Sequence, residues 1–509
     1  MRRDDESRTD DACAHSRAAP EYAIIDDVKT PLERPPVADV PRDAKSALTA
    51  LYWAAVHAVA PGASLRAALE RVPVQERGRR VWVIAIGKAA HPMAQTALAV
   101  LAEWNRTPAG GIIVAPNEEA APHPAVDVRV GDHPVPGPRS LEAAERIGLV
   151  AGRVREGDEA WVLLSGGATS LAAAPEGTVR PDELFQLYDR LLGSGLDIAQ
   201  MNLIRKRFSR WGAGRLAVAL APARVRNYIV SDVIGDDLAA IGSGPCVPDP
   251  STAAHIHQML DSAGLWDELP LSMKRSVSGA ERDPSLETPK AGDAAFAHVE
   301  RRIIASNRVA LEAIEARART FGYEPRVLSA ALAGEAAVVG RRLIATLGSY
   351  CDQDGTSLSG RTGRTCLIWG GETTVTLGAA HGRGGRCQEL ALSAARELAQ
   401  TAGLPSAALL AAGTDGRDGD TDAAGAIVTR ETWRTIQRAG RDPSRDLASH
   451  DSYPSLDAAG ALLRTDLTAT NVMDVVIAVC GPPADEKRAR LTPAVALEAI
   501  AGSLRRLKE

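Results

Sequence analysis

The sequence has no run of 18 consecutive apolar residues, and its longer uncharged stretches, such as residues 161–175, are broken by Gly, Ser and Thr. A membrane-spanning helix of ordinary length is therefore not expected, and the chain reads as soluble. Positive charge is not in surplus. Acidic residues number 64 and basic ones 59, a net charge of −5, so a nucleic-acid backbone is not an expected partner. Cysteine is sparse and unpatterned: the six (Cys13, Cys246, Cys351, Cys366, Cys387, Cys480) never form CxxC. That argues against a zinc site and a disulfide framework, and a cytoplasmic location is expected.

Several signatures are also missing. GSGLDI at 193 and GRGGRC at 382 lack the third glycine of a dinucleotide fingerprint, and GKAA at 87 has Trp82 where a P-loop needs its first glycine. No Ser/His/Asp set suggests itself, and His133, in GDHPVPGP, reads as a structural loop histidine. The acids from Asp415 to Asp422 do not form an EF-hand, because position 12 of such a loop is Ala426. Arg2 and Arg3 are followed by Asp4, Asp5 and Glu6 rather than an apolar segment, so no export signal is expected.

What is present is an α/β pattern. With 509 residues, 45% of them apolar, the chain can build two to four packed domains. Short aliphatic runs alternate with longer Ala-, Leu- and Arg-rich segments, which predicts βα units and a mainly parallel sheet. Six runs stop abruptly at small or polar residues: 81–90, 161–170, 228–237, 366–374, 408–419 and 475–481. Ligands bind outside the carboxyl ends of parallel strands, so these junctions are expected to face shared clefts, which favours an enzyme. Residues 1–40 read as a flexible tail. One α/β domain is expected over 41–290 and a second over 297–485, with a polar linker near 265–295. Residues 351–364 read as a surface insertion, and a final helix (493–507, within the closing segment 486–509) packs back on the body.

The candidate site residues follow from these junctions. Lysine is scarce, eight residues against 51 arginines, so Lys88 at a strand's end suggests a compact cation for a phosphoryl group. Ser165, Gly166 and Gly167 form a turn whose amides can cradle an anion. Asn202, Lys206 and Arg210, four apart, fall on one face of a helix. Asp232, with Asp236 a turn later, could hold Mg²⁺ or accept a substrate proton. Glu372 closes a strand, and Arg386 sits in a glycine-rich loop free to close over an anion. Asp415 lies in a polar active-site or structural loop.

Taken in order, GKAAHPMA, GDHPVP, SGGATSLAAAP, NLIRKRFSRWGAGRLA, SDVIGDDLAAIGSGPCVPDPST, ASNRVALEA, GEA, WGGETTV, GRGGRCQELAL, GTDGRDGDTDAAGA and TNVMDV resemble the glycerate 2-kinases that carry a MOFRL-type carboxyl-terminal domain. The resemblance spans about residues 81–480. It implies a Rossmann-like domain, a smaller α/β domain, and ATP- and Mg²⁺-dependent phosphorylation of D-glycerate to 2-phosphoglycerate in the cleft between them. A homodimer is compatible with it. Lys88 and Arg386 match the family's catalytic cations, and Asp232 is carried over as orienting Mg²⁺ or the attacking hydroxyl, with Asp236 beside it. Ser165, Gly166, Gly167, Asn202, Lys206, Arg210, Glu372, Asp415 and Asn471 are carried over as binding residues.

Some positions depart from the usual pattern. Cys387 replaces asparagine after the GGR arginine, Ala168 and Ala213 replace glycines, and 465–472 reads TDLTATNV instead of TGPTGTNV. Two other readings stand beside the kinase. Family members are often labelled hydroxypyruvate reductases, which the missing nicotinamide fingerprint disfavours, and a non-catalytic sensor of nucleotide or hydroxy acid would also diverge in this way.

Overall fold

The computed structural model describes residues 41, 43–351, 364–378, 380–401, 403–404 and 406–481. The expected tail (1–40), the body of the 351–364 insertion and the closing helix lie outside them. The first six strands are β1 Val81–Ile86, β2 Gly110–Ala115, β3 Val126–Val130, β4 Glu159–Leu164, β5 Arg224–Val230 and β6 Val299–Ala305. They pair in the order β3-β2-β1-β4-β5-β6, all parallel. Strands β1, β2 and β4 are buried along their whole length, as strands covered by helices on both faces must be. Val83 and Ala85 of β1 face one core, while Trp82, Ile84 and Ile86 face another beneath the helix Pro138–Ala151.

The second sheet contains β7 Glu324–Leu332, β8 Thr365–Gly371, β9 Ala407–Gly413, β10 Gly425–Thr429, β11 Leu462–Leu463 and β12 Asp474–Cys480, in the order β11-β10-β9-β12-β8-β7. Only β7 and β8 run parallel; β12 is antiparallel to both β8 and β9. The expectation that the run 475–481 presents its carboxyl end to a cleft is thereby corrected. Its first residue, Asp474, lies opposite Gly371 and Gly413, the last residues of β8 and β9.

The sheets do not follow the expected division at 290 and 297. Residues 299–305 pair with β5 and so complete the first sheet. The helix Ala44–Ala58 carries the buried stripe Ala47, Leu48, Leu51, Tyr52, Ala55 and Val56. It donates from the Tyr52 hydroxyl to the Gly413 carbonyl at 2.9 Å, and the Val59 carbonyl just beyond it accepts from Thr470 Oγ1 at 2.9 Å. One apolar core therefore runs from Val83 and Leu163 through Leu51 and Leu311 to Ile368, Leu410 and Ile477, joining both sheets.

The segment expected to be a linker is not one. Leu271–Arg282 is a helix whose Met273, Val277 and Ala280 are buried in a layer formed with the helices Pro181–Leu192, Ile198–Arg207 and Ala253–Ser262. Three apolar residues at helical spacing suffice to dock it, although the surrounding sequence is polar.

No single described helix is long and apolar enough to cross a membrane. The bent pair Ala44–Ala58 and Pro61–Glu70 passes on composition alone, and its apolar residues are those of the shared core. None of the five described cysteines forms a disulfide.

Candidate active site

The strand order reverses between β1 and β4, so the crevice beyond their carboxyl ends is the topological switch point of the first sheet. The two turns there are stitched together. Ser165 N–H donates to the Ile86 carbonyl at 3.0 Å, Lys88 N–H to the Gly166 carbonyl at 3.0 Å, and Ala89 N–H to Ser165 Oγ at 3.0 Å. Gly87 has φ +130, and a Cβ on it would lie 2.2 Å from Ser165 Oγ, so no other residue fits this crossing.

Three side chains gather on this turn. A Cβ on Gly166 would lie 1.9 Å from Asp232 Oδ2; one on Gly167 would lie 3.1 Å from the His133 ring and 3.5 Å from Lys88 Cγ. Burial raises the Asp232 carboxyl above its usual range, and the Lys88 charge partly offsets this. Burial lowers His133, and Lys88 lowers it further. Among the described residues the Lys88 ammonium has no ion pair, so its charge is available to a ligand.

The opposite wall is built where β8, β9 and β12 meet. Arg386 opens the helix Arg386–Gln400. Its guanidinium grips Asp474 with two hydrogen bonds, Nε to Oδ2 at 2.6 Å and Nη2 to Oδ1 at 2.9 Å, and Nη1 reaches Glu372 at 2.6 Å. Burial lowers the Arg386 pKa, but the bonds and charge of Asp474 more than reverse this, so the guanidinium stays fully charged. Glu372 is raised by burial and by the acids Asp474, Asp232 and Asp415, against the pull of Arg386. Asp415 is likewise raised by burial, while Arg386 from its own wall and Lys88 from the facing wall draw it down. The two groups thus share one electrostatic field: two cations among four carboxylates, drawn from the ends of both sheets.

Comparison with known proteins gives the family. Residues 47–278 match a family model described as a domain of unknown function (DUF4147), and residues 365–474 match the MOFRL family. A D-glycerate 2-kinase from Thermotoga maritima is 33% identical over 437 residues, covering 86% of this chain and 98% of that one. A putative hydroxypyruvate reductase from Agrobacterium vitis is 36% identical over 433 residues, covering 85% and 93%. The crystal structure of a glycerate kinase from Thermotoga maritima matches with a TM-score of 0.76 at 33% identity, covering 86% of this chain and 99% of that chain. The chain belongs to the glycerate kinase family.

For a member of the glycerate kinase family, not every expected residue reaches the cleft's electrostatic network. The helix Ile198–Arg207 ends before Arg210, so Asn202, Lys206 and Arg210 do not share a helical face. Lys206 is buried in an ion pair with Asp249 at 2.8 Å, their side chains 3% and 0% exposed, and the exposed Arg210 lies over the Trp211 ring at 4.9 Å. Asn202 is half-buried on that helix. Asp236 occupies a tight turn with φ +57, its N–H donating to the Val233 carbonyl. Asn471 accepts from Met473 N–H at 3.1 Å, bending the chain into Asp474.

The glycine-rich loop before Arg386 is also not free to close. A Cβ on Gly382, Gly384 or Gly385 would come within 2.3 Å of Asp451, Ser452 or Asp418 respectively, so the loop is packed down.

Three residues were missed by sequence reasoning. Asp474 stands inside the TNVMDV motif, but only antiparallel pairing brings a strand's first residue to the cleft. Asn307, from ASNRVALEA, follows β6 and donates to the carbonyls of Val472 and Asp474 at 2.8 and 3.0 Å, tying the first sheet's last strand to the Arg386 partner. From its sequence context alone His133 reads as structural, whereas its ring lies beside Lys88 at the SGG turn.

Proposed function

We propose that the protein is a glycerate 2-kinase, transferring the γ-phosphoryl group of ATP to the 2-hydroxyl of D-glycerate in the cytoplasm. The observation that carries this reading is that the Lys88 ammonium at the switch point has no ion pair among the described residues, while Lys88 and Arg386 both act on the Asp415 carboxyl, in a chain of the glycerate kinase family. Phosphoryl transfer spreads charge over peripheral oxygens, so positioned cations supply most of the rate enhancement. Lys88 takes an oxygen of the transferred group. Arg386, held by Asp474, exchanges its Nη1 contact from Glu372 to an anionic oxygen of the ligands. The amides at 166–167 line the phosphate side, and Asp232 orients the attacking hydroxyl and accepts its proton.

Among the described residues no three His, Cys, Asp or Glu side chains gather as a metal cage. Mg²⁺ carried on ATP needs only one or two protein carboxylates, and in the alternative arrangement Asp232 would hold the ion instead of taking the hydroxyl proton. When bound, the ion neutralises charge on the phosphates.

The test is an assay with D-glycerate, ATP and Mg²⁺ coupled through enolase, so that only 2-phosphoglycerate gives signal, with phosphoglycerate mutase added in parallel. Signal without mutase is expected. Signal only with mutase means the 3-hydroxyl is phosphorylated, and NAD(P)H oxidation with hydroxypyruvate would favour the reductase name carried by the Agrobacterium vitis relative.

A further inference from the structure

The helix that carries Arg386 has no capping side chain of its own, because Gly385 occupies its N-cap. The orphaned amides of its first turn need acceptors. Asp418, from the distant GTDGRDGDTD segment and only 3% exposed, supplies them. Its Oδ1 accepts from Cys387 N–H at 3.1 Å and its Oδ2 from Gln388 N–H at 2.8 Å. The Gln388 amide donates back to the Asp418 carbonyl at 3.3 Å and to Thr421 Oγ1 at 2.8 Å, and that hydroxyl donates to the Asp418 carbonyl at 2.8 Å. The loops leave no slack: a Cβ on Gly385 would lie 2.3 Å from Asp418 Cγ, and one on Gly419 would lie 2.3 Å from the Gly384 carbonyl oxygen.

We infer that Asp418 is a positioning residue: by clamping the first turn of the helix it fixes the direction in which Arg386 meets Asp474 and the transferred group. This deepens the kinase reading and rests on it. The two caught amides belong to the residues directly after Arg386, so a small rotation of the turn is passed to the guanidinium. A displacement of about 1 Å at such a group can cost on the order of 100-fold in rate.

The test compares Asp418→Asn and the isosteric Thr421→Val with Asp442→Asn, which loosens an unrelated cap on the helix Pro443–Ala448. For Asp418→Asn, kcat is expected to fall about 10- to 100-fold while KM for D-glycerate and ATP stays within about threefold, the signature of a lost transition-state contact. Phenylglyoxal modification of Arg386, read by peptide mass, should accelerate in the same variant. Thr421→Val should move both readouts the same way by about two- to fivefold. Asp442→Asn should lower only Tm.

Unchanged kcat and unchanged Arg386 reactivity in Asp418→Asn overturn the inference, as does an equal kcat loss in Asp442→Asn. If Asp418→Asn does not fold, Thr421→Val decides, and no change there overturns it. A wild-type protein inactive on glycerate would sink the kinase reading, while the Arg386 reactivity would still judge the clamp.

Discussion

The two walls of the cleft are built on opposite plans. The first uses parallel strands, so Lys88, the 165–167 turn and Asp232 all follow a strand's carboxyl end, and among the described residues Lys88 forms no ion pair, its charge felt by the Asp232 carboxyl only through space. The second inserts β12 antiparallel between β8 and β9, so Asp474 comes from a strand's beginning and meets Glu372 and Asp415 from two strand ends. There the cation is already satisfied. One wall offers a charge that seeks an anion; the other stores a charge in a geometry prepared by acids.

The contrast breaks most severely at Lys88. Lys88→Ala should reduce kcat on the order of 1,000-fold or more, with Arg386 unable to substitute, as checked by steady-state kinetics. On the other wall, Asp474→Asn leaves Arg386 without its main partner. A loss of about 100-fold in kcat is expected, together with a lower Tm, because Asp474, only 6% exposed, gives up two charge-assisted hydrogen bonds to a half-exposed Arg386 that keeps Glu372, a cost of about 1–3 kcal/mol. Gly166→Ala sharpens the first wall. Its methyl group would overlap Asp232 Oδ2, and about tenfold in kcat should go with a Tm loss worth about 1–3 kcal/mol. Lys206→Met, in the helical layer outside the electrostatic network, should leave kcat and KM unchanged while altering denaturant stability, since Asp249 loses its partner.

The smallest effect concerns pH. Burial lifts the Asp418 carboxyl to about 7, above its ordinary 3.8. Between those values the folded state holds a proton that the unfolded chain has released, so this group's contribution to stability falls as pH rises and levels off above about 7. Melting wild type and Asp418→Asn side by side from about pH 5 to 8 should show their stability difference shifting against the wild type until about pH 7 and then staying constant. A difference independent of pH would contradict the assignment.

The parallel wall was legible in the sequence for a physical reason. Apolar runs fully buried on both faces, ending at glycines and polar residues, announce both the strand and the turn at its carboxyl end, and this is how Lys88, Ser165 and Asp232, which meet at one crossing, stand out in the sequence. The other wall was legible only in part. Glu372 and Asp415 end strands, but the direction of β12 is set by which neighbours it pairs with, and nothing in VVIAVC encodes that. Hence Asp474 was missed. Lys206 misled because charge at helical spacing looks the same whether its partner is solvent or a buried Asp249. The helix 271–282 was hidden because its apolar stripe is only three residues wide in a polar run.

The contact between Tyr52 and Gly413 spans 361 positions of sequence, which has a consequence for biosynthesis. Translation at about 5–20 residues per second leaves the helix Ala44–Ala58 waiting about 20–70 s for the sheet that will cover it. During that interval Leu48, Leu51 and Val56 have no second sheet to pack against, so a nascent chain stalled before residue 413 should be captured by chaperones through this helix. Mutations in its stripe should reduce yield at the ribosome before they touch the melting point of the finished protein.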